Sequence, residues 1–131
     1  MSDELSLQFA NDAFYIAHLN GDFAAMDAVW AKDAEVSCIH PGWGPLTGRA
    51  EVMESWRAIL AHPDPPGFEY RQVAVQLHGA CALVLAYEIF EEAFLIATNI
   101  FVTEDDGWKM VHHQSGGCPP EDADAPERTV Q

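Results

Sequence analysis

Basic residues are scarce in this chain. Six Lys and Arg stand against 21 Asp and Glu, a formal net charge of −15. Such a surface repels phosphate backbones and anionic membranes, so no nucleic-acid partner is expected. Cysteine is sparse too. Cys38, Cys81 and Cys118 are widely spaced and odd in number, and form neither a CxxC site nor a disulfide framework. They read as three reduced thiols, two of them buried. No apolar run is long enough to span a bilayer, and no membrane partner is expected. The opening Met1-Ser2-Asp3-Glu4 lacks the basic segment of a signal peptide, which points to a cytoplasmic location. There is no GxGxxG, P-loop, HExxH or Gly-x-Ser-x-Gly, and His40, His112 and His113 form no local ligand motif. No cofactor, metal site or serine triad is therefore expected.

Apolar residues, at 49% of 131, are sufficient for one compact domain with a real core. Residues 1–117 read as that domain. From Cys118 the chain continues Pro-Pro-Glu-Asp-Ala-Asp-Ala-Pro-Glu-Arg, without apolar anchors, so residues 118–131 read as a flexible acidic tail. Leu5, Phe9, Ala13, Ile16 and Ala17 recur at helical spacing and predict an amphipathic helix over about residues 4–19. Gly21 suits a left-handed cap, and Asp22 an N-cap for a second helix from Phe23 to about Trp30. Ala34 to His40 reads as a strand, ended by Pro41-Gly42-Trp43-Gly44-Pro45. A third helix runs over about Arg49 to Leu60, its buried side formed by Val52, Trp56, Ile59 and Leu60. After the Pro-rich connector His62 to Gly67 the period changes to two, giving strands over Phe68–Leu77, Ala80–Phe90, Ala93–Thr103 and Trp108–Ser115. The order predicts an α+β fold: three N-terminal helices packed on a curved, mainly antiparallel β-sheet, enclosing a conical pocket. Both faces of Phe94 to Val102 are apolar. That implies burial on both sides, with Phe94, Ile96, Ile100 and Val102 covered by a second copy in a homodimer.

The last two strands carry the most specific expectation. Around the Glu104-Asp105-Asp106-Gly107 turn, a two-residue and a four-residue loop give the same register. In it Asn99 lies opposite His112 and Phe101 opposite Met110, sharing a face. His113 then points away, unless a bulge exchanges the two histidines. An amide and an imidazole on an apolar face need polar partners, and so suggest a pocket.

Several segments in this order resemble the NTF2-like superfamily, notably its SnoaL-like and ketosteroid-isomerase-like members. They are Tyr15 to Asp22, Ala34-Glu35-Val36, His40-Pro41, Thr47-Gly48-Arg49 and Asn99 to Ser115, within a match over about residues 5–116. The resemblance implies a cystatin-like α+β fold that hosts many reactions. By that resemblance Tyr15 falls where ketosteroid isomerases place an oxyanion-hole tyrosine. His40 falls at their aspartate base, Asn99 at their protonated aspartate, and Trp56 at a supporting tyrosine.

The chemistry of these residues fits a small-molecule site. His40 can act as a general base near neutral pH, or anchor its loop. Tyr15 can donate to a developing oxyanion, or pack in the core with its hydroxyl satisfied. Asn99 can orient a carbonyl or hold a histidine tautomer, with His112 as acid or base; a cross-strand hydrogen bond is the plainer alternative. Trp43, Trp56, Phe101 and Met110 can line an apolar cavity. Tyr87 is a further candidate lining residue, although the loop at Glu91-Glu92 leaves open whether Tyr87 or Glu88 faces inward. Arg49 is read as pairing with an acidic neighbour. Two functions follow. One is a cofactor-free isomerase, cyclase or hydrolase acting on a small hydrophobic carbonyl or epoxide compound. The other is a non-catalytic dimeric ligand-binding or association module.

Overall fold

The computed structural model of the chain describes residues 3–105 and 107–120. The element order is α1 (Asp3–Asn20), α2 (Phe23–Val29), β1 (Ser37–Ile39), β2 (Leu46–Thr47), α3 (Arg49–Leu60), β3 (Phe68–His78), β4 (Cys81–Phe90), β5 (Phe94–Glu104) and β6 (Gly107–Gly117). Most of the expected tail, residues 121–131, lies outside the described residues. No described helix is long and apolar enough to cross a membrane.

The six strands form one sheet in the order β2-β1-β6-β5-β4-β3. Its pairs are antiparallel except β1 with β6, which run parallel. Strand β2 was not expected; it is two residues long and pairs Leu46 with Cys38. The helices pack on the face that carries Ala82, Val84, Ala86, Ala97, Phe101 and Met110, all of them buried. On the outer face Phe94, Ile96, Ile100 and Val102 are half-buried.

Local chemistry explains the joints. Gly21 has φ +62°, and a Cβ there would lie 3.3 Å from the Leu60 carbonyl oxygen. Only glycine suits that corner. Asp22 caps α2 by accepting the amide of Ala25 at 3.0 Å. Arg49, at the start of α3, holds the end of α2. Its guanidinium donates to the carbonyl oxygens of Trp30 and Ala31 and to both the backbone and side chain of Asp27. The expected acidic neighbour is thus Asp27, at 2.7 Å. The β5–β6 hairpin closes with Glu104 paired to Gly107, and Asp105 takes a positive φ of 52°.

Two expectations are corrected. In α1 the buried side is Leu7, Asn11, Phe14, Tyr15 and Ala17. Leu5, Phe9 and Ile16 instead face solvent, at 42%, 54% and 51% exposure. Both sets recur at helical spacing; the inward one also carries the two polar groups that find partners on the sheet. Of the cysteines Cys38 alone is buried, and Cys81 and Cys118 are half-buried free thiols.

Candidate functional site

A bulge sets the site. Ile100 pairs with His112 and Phe101 with Met110, so Val111 is the extra residue in β6. Beyond it Asn99 faces His113, not His112 as the regular ladder predicts. His113 is buried on the inner face. His112 is half-buried and joins the outer side with Ile100, its Nδ1 at 2.7 Å from Ser37 Oγ. Tyr87 is likewise outward, beside Phe94 and the Arg71 guanidinium. Its neighbour Glu88 points inward with 3% exposure.

Helix α1 and strands β4, β5 and β6 bring six polar side chains together in the interior. Tyr15 Oη donates to Glu88 Oε2 at 2.8 Å, and Ser115 Oγ donates to Glu88 Oε1 at 2.6 Å. Asn99 Nδ2 donates to Tyr15 Oη at 3.2 Å and to Asn11 Oδ1 at 3.0 Å. His113 Nδ1 donates to Asn99 Oδ1 at 2.6 Å. Its Nε2 lies 3.9 Å from Glu88 Oε2. Spacing in the chain accounts for the convergence: Asn11 and Tyr15 share a helix face, Ala82, Val84, Ala86 and Glu88 share a strand face, and His113 and Ser115 alternate inward together.

Burial governs the titration of these groups. Desolvation raises the Glu88 carboxyl above its ordinary range, against the lowering effect of the Ser115 and Tyr15 hydroxyls. Desolvation holds His113 well below the usual imidazole range, helped by nearby His40, His18 and His112. The Tyr15 phenol is pushed up by burial and by the Glu88 charge. Burial thus disfavours the charged form of both Glu88 and His113.

A line of rings leads from this network to the surface. Trp56 is buried, with His113 at 6.1 Å, His18 at 5.0 Å and His40 at 4.8 Å between ring centroids. Trp43, in the Pro/Gly loop, sits edge-on to His40 at 4.8 Å and is 48% exposed. Trp56 Nε1, His18 Nδ1 and Asn11 Nδ2 are buried without a hydrogen-bond partner. His40 is oriented by α3. Ser55 Oγ donates its proton to the Val52 carbonyl at 2.7 Å, so it accepts from His40 Nε2 at 2.9 Å. His40 Nδ1 is then the bare nitrogen, 3.9 Å from Cys38 Sγ. Burial lowers His40 to about 4, and burial together with the His40 charge lowers His18 to about 4. Phe101 and Met110 are fully buried and belong to the hydrophobic core.

One cluster meets the spacing of a cation site among the described residues: Asp33, Glu104 and Asp105. Glu104 uses both carboxylate oxygens on the amides of Lys32, Asp33 and Ala34, at 2.6, 3.1 and 3.2 Å. Those bonds hold its carboxyl below the ordinary range, Lys32 contributing most. It acts as a staple between the hairpin tip and the loop before β1. A separate surface groove of about 310 Å³ lies between α1, α2 and β6, lined by Ala10, Ala13, Ala25, Ala28, Val29, Trp108 and Lys109.

Residues 8–118 match the SnoaL-like domain model. Among solved structures, a provisionally assigned dehydratase of the NTF2-like family from Streptomyces avermitilis is 34% identical, with a TM-score of 0.80, covering 88% of this chain and 95% of that one. A provisionally assigned calcium/calmodulin-dependent protein kinase type II association domain from Thiobacillus denitrificans is 32% identical, with a TM-score of 0.77, covering 84% and 93%. A ketosteroid isomerase-like protein from Erwinia carotovora atroseptica shares the fold at 16% identity, with a TM-score of 0.76, covering 92% and 100%. F-box protein SKIP8 from Arabidopsis thaliana is 27% identical over 107 residues, 80% of this chain; the chain spans 46% of that relative's length.

Proposed function

We propose that this chain, which belongs to the SnoaL-like domain family of the NTF2-like superfamily, is a cofactor-free acid–base enzyme acting on a small hydrophobic compound that carries a carbonyl. The observation that supports this most is Glu88: a carboxyl 3% exposed, held by two hydroxyls, beside a buried imidazole. Burying an ionisable pair is costly, and such pairs concentrate at catalytic sites. The 34% identical relative favours dehydration over the other reactions of the fold.

Elimination of water from a β-hydroxyketone illustrates the chemistry. A base takes the proton from the carbon beside the carbonyl. Its electron pair forms the new double bond, and the hydroxyl leaves as water after receiving a proton. The neutral imidazoles of His113 and His40 are the groups that can take the proton, and the imidazolium so formed, or the Glu88 carboxyl when it carries a proton, returns one to the leaving hydroxyl. Tyr15 and Asn99 hold Glu88 and His113 in place, instead of standing free as oxyanion donors. In this reading Trp43 forms the entrance and Trp56 the apolar wall.

The test starts from what the protein carries. Native mass spectrometry of the purified chain should reveal a bound small molecule. β-Hydroxyketones, whose dehydration creates a near-ultraviolet enone band, are the assay probes. Turnover by wild type that is lost in folded Glu88→Gln, and in folded His40→Ala or His113→Gln, supports the enzyme. No turnover of any probe and no carried molecule removes it.

A second reading has its own support. The half-buried outer face with Phe94, Ile96, Ile100 and Val102 suits a homodimer, and the 32% identical relative is an association domain. Light scattering at micromolar concentration should then give twice the 14.4 kDa chain mass. A monomer with a small-molecule ligand excludes the association role.

A further inference from the structure

Donor directions around Glu88 close into a ring. The single phenolic proton of Tyr15 goes to Glu88 Oε2, while Ser115 occupies the other carboxylate oxygen. The Tyr15 oxygen is thereby left as an acceptor, and Asn99 Nδ2 donates to it. The second N–H of that amide goes to Asn11 Oδ1. With its NH2 group so committed, Asn99 offers its oxygen to His113, and the 2.6 Å contact requires a proton on Nδ1. A neutral imidazole has one N–H. His113 Nε2 is therefore bare, and it lies 3.9 Å from Glu88 Oε2, where the ring began.

We infer that Asn11 sets the direction of this one-way ring, and so makes His113 Nε2, 3.9 Å from Glu88 Oε2, the atom of the site that takes a proton. The reason lies in counting acceptors. In the observed direction both N–H bonds of the Asn99 amide are used, one on Tyr15 and one on Asn11. Turned over while Asn11 stays as placed, that amide has one acceptor, His113 Nδ1; its second N–H is left unmade and its oxygen is set against Asn11 Oδ1. Asn11 supplies the acceptor that separates the two directions. It touches neither His113 nor Glu88 by hydrogen bond, and is a positioning residue acting through Asn99. Its own Nδ2 is buried and unpartnered, so its conservation of geometry comes from packing and from this one bond. The alternative base, His40, has the Cys38 sulfur beside its ring, 3.9 Å from Nδ1 and 3.7 Å from Nε2.

The inference rests on the acid–base reading for its catalytic meaning only; the tautomer is measurable without a substrate. In 15N-labelled full-length protein at neutral pH, long-range proton–nitrogen spectra distinguish a protonated from a bare ring nitrogen. Wild-type His113 should show one form, protonated on Nδ1 and bare on Nε2. Asn11→Leu should turn it into a mixture of both tautomers, and Asn11→Asp, which keeps the acceptor, should restore the single form. A wild type protonated on Nε2 overturns the ring, and needs no variant to fold. A folded Asn11→Leu with an unchanged single tautomer overturns the positioning role. A correct tautomer with no turnover of any probe leaves the ring standing and removes the enzymatic reading instead.

Discussion

The Tyr15 hydroxyl donates to Glu88 across 73 positions of sequence, at 2.8 Å and out of contact with solvent. This bond ties the first helix to the second long strand through the middle of the core. Tyr15→Phe keeps the ring and its stacking on Tyr70 but strips one hydroxyl from Glu88 and one acceptor from Asn99. The expected loss is about 2 kcal/mol, from buried polar groups left unpaired. Urea unfolding should show a lower midpoint with an unchanged slope.

The two adjacent histidines should behave unlike each other. His113→Ala opens a hole against Phe14 (ring centroids 4.8 Å apart) and orphans the Asn99 oxygen. It should cost about 3 kcal/mol, and His112→Ala under about 1 kcal/mol, since only a half-buried bond to Ser37 is lost. Equal effects in thermal melts would mean that the β6 bulge does not select His113.

Acidification should destabilise the fold in a defined window. His18 and His40 have folded-state values of about 4 against 6.5 unfolded. Between those limits the unfolded chain binds more protons, so stability falls as pH falls, by up to about 1.4 kcal/mol per pH unit for each histidine. Glu88, raised in the fold, works the other way: from its raised value down to 4.5 it gains stability as pH drops. The net trend is the histidine one, because His113 is depressed as well. Chemical unfolding at pH 7.0 and at pH 5.0 checks the sign.

Arg49 is a tie between helices, not a ligand group. It serves four acceptors on α2 and the residues just after it with a planar fork that lysine lacks. Arg49→Lys should therefore lower stability by about 2 kcal/mol although the charge is kept. Calorimetry of the two proteins decides.

The outward stripe of α1 gives a contrasting pair. Phe9→Ser, at a site 54% exposed, should change stability by no more than about 0.5 kcal/mol. Leu7→Ala, at a fully buried site, should cost about 2–5 kcal/mol. The reverse order would restore the helix face that periodicity alone suggests.

That reversal shows where sequence reading stops. The caps at Gly21 and Asp22, the bounds of α3 and the four long strands follow from local chemistry, and local chemistry is visible in sequence. Which stripe of α1 turns inward is decided by what waits on the sheet. Leu5-Phe9-Ile16 and Leu7-Phe14 are equally periodic, but Asn11 and Tyr15 find Asn99 and Glu88. The inward turn of Glu88 depends on the short loop between Phe90 and Ala93, whose length no residue type announces. Its parity with Ala82, Val84 and Ala86 was the available signal. The single extra residue at Val111 moved His112 out and His113 in, because strand alternation has a period of two and one insertion inverts it. Tyr15, Asn99 and Trp56 lie in the interior and Tyr87 on the outer side, and Ser115 and Asn11 become recognisable only when their partners are in place.

The parallel pairing of β1 with β6 has a consequence for how the molecule comes into being. Ser37 to Ile39 leave the ribosome 75 residues before His112 to Gln114, so the seam between them cannot close while the intervening chain is still being made. Phe14, Trp30 and Trp56, which end up sealed, spend that interval without the sheet that covers them. Synthesis is vectorial at roughly 5–20 residues per second, which leaves these rings seconds of contact with water and with whatever chaperone is at hand.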